Sequence, residues 1–180
     1  MEFVILGLLS LKARTIYEIN KAIEHGVSLF YSASFGSLNI ALKKMIQKGW
    51  VDFEEKIENG RNKKIYHIND KGRNAFTNWL GSEIETTKVK EPALTRLYFL
   101  GFTSADEQIK VLREHVNNLR QTLNTLEFLY QQSLKVAHPT EFKQVERFQR
   151  LTLDYGIAFY QFNINWFQTI IDELRNENKS

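Results

Sequence analysis

The stretch that decides the fold is residues 34–68, SFGSLNIALKKMIQKGWVDFEEKIENGRNKKIYHI. It begins with Ser34, which suits a helix N-cap because its hydroxyl accepts a hydrogen bond from an early backbone N–H. Gly49 is placed to end that helix. Apolar side chains recur between these two residues at helical spacing and predict one buried face, formed by Phe35, Leu38, Leu42, Met45 and Ile46.

The second half of the stretch predicts a β-hairpin. Two runs, residues 51–54 and 64–68, alternate apolar and polar side chains as half-buried strands do. Asn59-Gly60 lies between them, and an Asn-Gly pair between alternating runs favours a tight turn because both residues tolerate positive φ.

The flanking residues complete a recognisable order of elements. Residues 3–10 form a compact apolar segment, and Ile16, Ile19 and Ile23 share one face of a second helix. After the hairpin, Asn69 or Asp70 can cap a fourth helix that runs to about residue 80. Three helices followed by a hairpin is the order of a winged helix-turn-helix, so residues 1–80 are predicted to be a DNA-binding domain.

Residues 92–180 are predicted to form a domain of long helices, joined to the first by a polar linker at residues 81–91. Ser104 and Glu107 form a capping box at the start of one such helix. A heptad row follows it: Ile109, Leu112, Val116, Leu119, Leu123, Leu126 and Tyr130. Such a row packs against a partner helix. The prediction is a homodimer held together by this row, and the alternative is that the row packs within one chain against the last helix.

The last helix, residues 140–176, carries a broad apolar face: Phe148, Leu151, Tyr155, Phe159, Phe162, Trp166, Ile170 and Leu174. Its aromatic members Tyr155, Phe159, Phe162 and Trp166 allow two interpretations. An aromatic stripe at helical spacing is typical of a core or a dimer interface. It also suits an effector site for a planar, lipophilic small molecule.

Residue types in the predicted recognition helix and wing suit contacts with DNA. Ser34 and Ser37 are small hydroxyls at a helix start, where backbone N–H groups can meet phosphate, and Asn39 can pair with adenine. The predicted DNA contacts are Ser34, Gly36, Ser37, Asn39, Lys43 and Lys44 in the helix and Arg61, Lys63 and Lys64 in the wing. The alternative is that these are solvated charges on a winged helix used for protein contacts, an interpretation that the wing acids Glu54, Glu55 and Glu58 favour.

At these residues the sequence resembles the PadR family of bacterial transcription regulators. The N-terminal matches are VILGLL at 4–9, YEI at 17–19, SFGSL at 34–38, ALKKM at 41–45 and KIYHI at 64–68. KEPAL at 90–94 and LYFLG at 97–101 resemble the start of the longer C-terminal domain, the type similar to virulence-activator proteins. The resemblance implies a homodimeric regulator, often a repressor, whose C-terminal helices form the dimer interface and of which some members sense small aromatic or lipophilic ligands.

Two positions depart from the family pattern. After Ser37-Leu38 the family usually has Tyr-Pro, whereas this chain has Asn39-Ile40. The family Tyr commonly faces DNA, so Asn39 is expected to read a different base or none. Asn69 replaces the family Thr before the fourth helix and is an equally good cap.

Composition narrows the classes of function. Residues 1–80 hold 12 basic and 8 acidic residues and residues 81–180 hold 12 and 13, so the basic excess lies in the predicted DNA-binding half. There is no cysteine, and the four histidines are scattered without metal-ligand spacing. Neither a phosphate loop nor a nucleophile elbow is present. We therefore expect no enzyme, no cofactor, no metal and no membrane partner, and a cytoplasmic location.

The leading hypothesis is a dimeric, sequence-specific regulator that binds double-stranded DNA, with a fold that is mainly α and has one small hairpin. Two recognition helices would occupy successive major grooves, about 34 Å apart. The alternative is a protein-interaction adaptor that uses the winged helix as a docking surface without binding DNA.

Overall fold

The structure is a computed structural model that describes residues 1–27, 33–58, 61–84, 91–136 and 139–177, apart from the side chains of Glu58 and Arg61. Two compact units divide the chain, Met1–Thr87 and Lys88–Ser180. The predicted linker at 81–91 stays a prediction, because residues 85–90 lie outside the described residues.

The first unit contains four helices and three strands. These are α1 (Glu2–Leu11), β1 (Arg14–Thr15), α2 (Ile16–Ala22, continued by a π-helical turn at Ile23–Val27), α3 (Phe35–Gln47), β2 (Val51–Glu58), β3 (Arg61–Ile68) and α4 (Asp70–Leu80). The sheet is antiparallel in the order β1-β3-β2, and β2 pairs with β3 from Val51 opposite Ile68 to Glu58 opposite Arg61. This is the fold class that the sequence predicts, although the predicted turn at Asn59-Gly60 lies outside the described residues.

The core of this unit lies between the helices and the sheet. Its buried members are Ile5, Leu6, Leu9, Ile19, Ile23, Leu38, Ala41, Leu42, Met45, Val51, Tyr66 and Ile68. The prediction that Phe35 and Ile46 belong to the buried face of α3 is wrong, because they remain 48% and 36% exposed. Phe35 lies in the first turn and Ile46 at the edge of the face, and Ala41 is buried in its centre instead.

Gly49 ends α3 as predicted. Its φ is +65°, its N–H donates to the Ile46 carbonyl, and the Trp50 N–H donates to the Met45 carbonyl, each at 2.9 Å. These two bonds form the Schellman motif, which satisfies the last carbonyls of the helix and turns the chain into β2.

Asn69 and Gly72 fix the start of α4 against the end of the hairpin. Asn69 is the N-cap and accepts a hydrogen bond from the Gly72 N–H at 3.0 Å. Its side-chain amide also donates to an Asp52 carboxylate oxygen at 3.0 Å. A Cβ atom added to Gly72 would lie 2.1 Å from the Trp50 carbonyl oxygen, so glycine alone fits this contact.

The second unit consists of α5 (Pro92–Phe99), a 3₁₀ turn at Leu100–Phe102, α6 (Ala105–Ser133), a second 3₁₀ turn at Thr140–Phe142 and α7 (Lys143–Glu177). Helices α6 and α7 pack against each other. No helix among the described residues has the length and hydropathy that crossing a bilayer requires.

The heptad row on α6 packs inside the chain. Ile109, Leu112, Val116 and Leu123 are buried in one cluster with Ile164, Phe167 and Ile171 of α7, and Leu119 lies partly buried against that cluster. Leu126 is buried and Tyr130 is partly buried. The prediction that the row forms the dimer interface is therefore corrected for Ile109, Leu112, Val116, Leu119 and Leu123, because α7 of the same chain is their partner helix. Leu126 is also buried within the single chain, and the interface role predicted for Tyr130 stays a prediction.

Helix α7 has two apolar faces. One packs on α6 through Ile157, Tyr160, Ile164, Phe167 and Ile171, joined by Ile170 and Leu174 from the face that the sequence predicts. The other, called the α7 stripe, is between 40% and 72% exposed in the single chain and consists of Phe148, Leu151, Tyr155, Phe159, Phe162 and Trp166. The single broad face predicted from the sequence is thus divided between the core and the surface.

Gly72→Ala is expected to destabilise the N-terminal unit by roughly 1–3 kcal/mol, because the added methyl group overlaps the Trp50 carbonyl and the backbone must shift. Urea unfolding followed by tryptophan fluorescence measures the change. Gly26→Ala is the matched control, since a Cβ there meets nothing within 4 Å. Equal effects of the two substitutions would contradict this role of Gly72.

Candidate functional site

The outward face of α3 combines one large apolar side chain with cations. Ile40 is 60% exposed, and Lys43, Lys44 and Gln47 are exposed on the same side of the helix. A single exposed aliphatic side chain is ordinary on a protein surface, so the distinguishing feature of this face is that Ile40 lies beside two lysines, Lys43 and Lys44. This face can make both apolar contacts and contacts with anions.

Ser34 and Ser37 secure the start of α3. The Ser34 hydroxyl accepts from the Ser37 N–H at 3.2 Å, and the Ser37 hydroxyl accepts from the Ser34 N–H at 3.0 Å. The two predicted contact residues therefore form a reciprocal cap. Asn39 is half-buried, and one N–H of its amide donates to the Phe35 carbonyl at 3.3 Å, which leaves the second N–H and the amide oxygen for a base edge.

The β alternation separates the predicted wing cations. Lys64 lies opposite Glu55 in register, 3.4 Å from its carboxylate, and its ammonium stands 4.2 Å from the centre of the Phe53 ring. A hydrogen bond from Asn62, followed by the Lys64 ammonium, lowers the pKa of Glu55 below its ordinary value. Lys64 is thus already paired with an acid.

The neighbouring strand positions carry a different charge pattern. Lys63 lies directly opposite Lys56, and because strand neighbours alternate between faces, this pair is on the other face from Lys64. The side chain of Arg61, the third predicted wing cation, lies outside the described residues. The structure therefore brings Lys56 and Lys63 together and separates Lys64 from them.

Two residues of this surface are absent from the sequence-based set of DNA contacts. Ile40 stands where the family usually has Pro. This departure from the family pattern is the sequence signal that could have identified it. Lys56 could have been found from the hairpin register. The predicted two-residue turn at Asn59-Gly60 places Lys56 directly opposite Lys63 on the neighbouring strand.

The residues proposed from the sequence for an effector lie on the α7 stripe. Tyr155 and Phe159 stack with ring centres 6.3 Å apart, and the Trp166 ring meets the buried Phe167 edge-on at 4.9 Å. All four predicted residues, Tyr155, Phe159, Phe162 and Trp166, are open to solvent in the single chain. As arranged here they form an exposed face of a helix.

A pocket of about 310 Å³ lies elsewhere in the C-terminal unit, between α5 and α6 with Phe167 of α7 at its base. His115 lines it and meets the Phe167 ring edge-on at 4.7 Å. Burial lowers the pKa of His115 below its ordinary value of 6.5, and the charge of Glu91 offsets part of that effect. No pattern in the sequence indicates this pocket, because its lining residues come from three separate helices.

Two family models match the chain. The model of the transcriptional regulator PadR-like family matches residues 5–78, and the model of the virulence activator alpha C-terminal domain matches residues 89–175. The two matches follow each other along the chain and together cover most of it.

Individual relatives match over nearly the full length. The negative transcriptional regulator PadR of Bacillus subtilis is 24% identical over 95% of both chains. Its crystal structure with operator DNA has a TM-score of 0.85 at 22% identity, covering 96% of this chain and 98% of that one. Its complex with p-coumaric acid has a TM-score of 0.81 at 22% identity, covering 97% and 94%. The Vibrio cholerae virulence activator AphA has a TM-score of 0.74 at 24% identity, covering 98% of both. At identities of 22% to 24%, the structural similarity establishes only the fold of this chain.

The lowered pKa of His115 predicts a specific pH dependence. Because its pKa is lower in the folded chain than in the unfolded chain, the unfolded chain binds the proton first as pH falls. The stability that neutral His115 contributes is therefore present above the ordinary pKa and is lost as pH falls through the lowered one. NMR titration between about pH 5 and 8 is expected to place the His115 midpoint below 6.5. A midpoint at or above the ordinary value contradicts this, and His25→Gln serves as a control that leaves the His115 signal unmoved.

Proposed function

Because the chain belongs to the PadR-like family of transcriptional regulators, we propose that it is a homodimeric, sequence-specific DNA-binding repressor that responds to a small molecule. The observation that carries the proposal is the outward face of α3, where the exposed Ile40 lies beside Lys43 and Lys44. The relative from Bacillus subtilis supports it, being named a negative regulator and having been crystallised with operator DNA.

In this proposal α3 enters the major groove and the wing contacts the neighbouring backbone. Ile40 makes an apolar contact with a thymine methyl group, the kind of contact by which aliphatic side chains read that base. Lys43 and Lys44 approach phosphates from α3, and Lys56 and Lys63 do so from the wing. Ser34, Gly36 and Ser37 hold the helix start close to the DNA backbone. Asn39 contacts a base edge through its remaining N–H and its amide oxygen.

We assign the dimer interface to the α7 stripe. A continuous apolar face along several helical turns is uncommon on a monomer and marks an association surface. A second copy suits it because a symmetric dimer places the same patch of both chains in contact. Helix α5 and the turn after it add exposed apolar side chains in the same unit: Leu94, Tyr98, Phe99 and Phe102.

Regulation would follow from a change in dimer geometry. Two recognition helices can occupy successive major grooves only at a spacing of about 34 Å, so a ligand that favours another geometry weakens DNA binding. The complex of the Bacillus subtilis relative with p-coumaric acid supports a small-molecule signal. The proposal needs no catalytic step and places the protein in the cytoplasm with its DNA.

The wing lysines supply the first test of DNA binding. The double variant Lys56→Ala/Lys63→Ala is expected to weaken binding to every duplex, and the slope of log K against log salt should become shallower by about 0.9 for each phosphate that is no longer neutralised. Lys64→Ala should change the slope less, because Lys64 lies on the opposite face of the wing from Lys56 and Lys63. Lys110→Ala on α6 is the control. A weakening by Lys64→Ala equal to that of the double variant would refute the division of the wing into two faces.

Ile40 supplies the test of sequence recognition. Ile40→Ala is expected to reduce the preference for thymine at one position of each half-site by about 1 kcal/mol, the order of one buried methylene group, while leaving other positions unchanged. Sequencing of bound fragments selected from random DNA measures the preference. Ile57→Ala, a change of the same kind at an exposed wing residue, should leave that preference intact. If neither the wild-type chain nor any variant binds DNA, this proposal is wrong and the alternative function, a protein-interaction adaptor, takes its place.

The interface is tested by placing a charge on the α7 stripe and, separately, on the heptad row of α6. Phe162→Asp should dissociate the dimer, with a mass near twice 21.2 kDa, into folded monomers. Leu119→Asp/Leu126→Asp should instead unfold the C-terminal unit. Leu119 packs against the core between α6 and α7 and Leu126 is buried, so both substitutions place an unpaired charge away from water. Gln161→Asp, an exposed change next to Phe162, is the control. Sedimentation equilibrium with circular dichroism distinguishes these results, and a folded dimer in the Phe162 variant would contradict the assignment.

A further inference from the structure

The pocket between α5 and α6 is used by neither the DNA contacts nor the α7 stripe. Its volume of about 310 Å³ lies within the range of small-ligand sites, which begins at roughly 300 Å³. Its apolar lining includes Leu97, Leu100, Leu112 and Phe167, and the last three are buried. These three belong to the core beneath the pocket, and the apolar surface that a ligand can reach is that of the partly buried Ala93, Leu97 and Val111.

Polar side chains at this pocket remain available to a ligand. In the part of the chain that the structure describes, the side chains of Arg96, Glu114 and Asn118 take part in no hydrogen bond or ion pair. Glu91 differs, because its carboxylate accepts from the Ala93 N–H at 3.2 Å and caps α5. All three are exposed, so a ligand can reach them without breaking a contact within the protein.

The charges of the lining favour one class of ligand. Glu91 and Glu114 carry two negative charges, Arg96 carries one positive charge, and His115 is neutral near pH 7 because burial lowers its pKa. The pocket therefore has a net negative charge, which attracts a cation and repels an anion. The neutral imidazole and the Asn118 amide add hydrogen-bond acceptors for an N–H donor.

We propose that this pocket binds a small organic cation, namely a protonated amine attached to an apolar body. The ammonium group faces Glu91 and Glu114, and the body packs on the partly buried Leu97 and Val111. Binding of the amine goes beyond the function proposed above, and a role for it as the regulatory signal rests on that function. The ligand class also differs from the p-coumaric acid in the complex of the Bacillus subtilis relative.

Three probes that share one body and differ in charge test the proposal: 3-phenylpropylamine, 3-phenylpropanol and 3-phenylpropanoate. Calorimetry on the full chain without DNA, at low salt and neutral pH, should give the amine a Kd of about 1 mM or tighter. The alcohol should bind more weakly and the carboxylate most weakly. Because Trp166 contacts Phe167, its fluorescence offers a second readout of the same titration.

Variants then locate the site by charge. Glu114→Gln and Glu91→Gln should each weaken the amine roughly two- to fivefold, while Arg96→Gln should strengthen it by a similar factor. Gln at position 91 keeps an acceptor for the helix cap, so α5 is preserved. Glu127→Gln, an exposed acid further along α6, is the control that leaves the affinity unchanged.

Three results would overturn the proposal: no amine binding at about 10 mM, a carboxylate that binds as tightly as the amine, or an amine affinity indifferent to all three pocket variants. Because the titrations contain no DNA, their outcome does not depend on whether the proposed function is correct. A chain that binds DNA but not the amine refutes this inference alone. A chain that binds the amine with the expected charge dependence but no DNA refutes the proposed function and keeps the pocket.

Discussion

The packing of α6 on α7 within one chain is the constraint on which the rest of the C-terminal unit depends. It buries most of the heptad row of α6 against Ile164, Phe167 and Ile171, so that row is no longer available to a second chain. Because one face of α7 is occupied by α6, its other face is left exposed with six large side chains. The same packing places Phe167 at the base of the pocket beside His115. The exposed α7 stripe, the pocket and the core of the unit thus have a common structural origin.

In the N-terminal unit, local hydrogen bonds and register decide which predicted contacts are available. Ser34 and Ser37 satisfy each other across the first turn of α3, which makes them determinants of helix position. Lys64 lies beside Glu55 on one face of the wing, and Lys56 and Lys63 lie opposite each other on the other face. The resulting surface is centred on α3 and one face of the hairpin. Lys63 and Lys64 are neighbours in sequence but lie in two different environments, because successive side chains of a strand point to opposite faces.

Much of the fold could be predicted from local signals, since the caps at Ser34 and Asn69, the stop at Gly49 and the alternation in the hairpin all depend on neighbouring residues. The two-residue strand β1 could not, because it exists only through pairing with β3. Nor does periodicity identify the partner of a heptad row: an α7 face and a second copy of α6 satisfy Leu112 and Val116 equally. The pocket depends on the meeting of three helices and leaves no pattern in the sequence.

The central claim is that two copies associate through the α7 stripe while the α6 row stays within each chain. The chain has no cysteine, so single cysteines can be introduced and joined with a short bis-maleimide linker. Cysteines at Tyr155, Phe159 and Phe162 are predicted to give a covalent species of twice 21.2 kDa, whereas cysteines at Leu119 and at the exposed Glu127 give none. Cross-linking from Leu119 together with none from the stripe would contradict the account, because the dimer would then form through the α6 row.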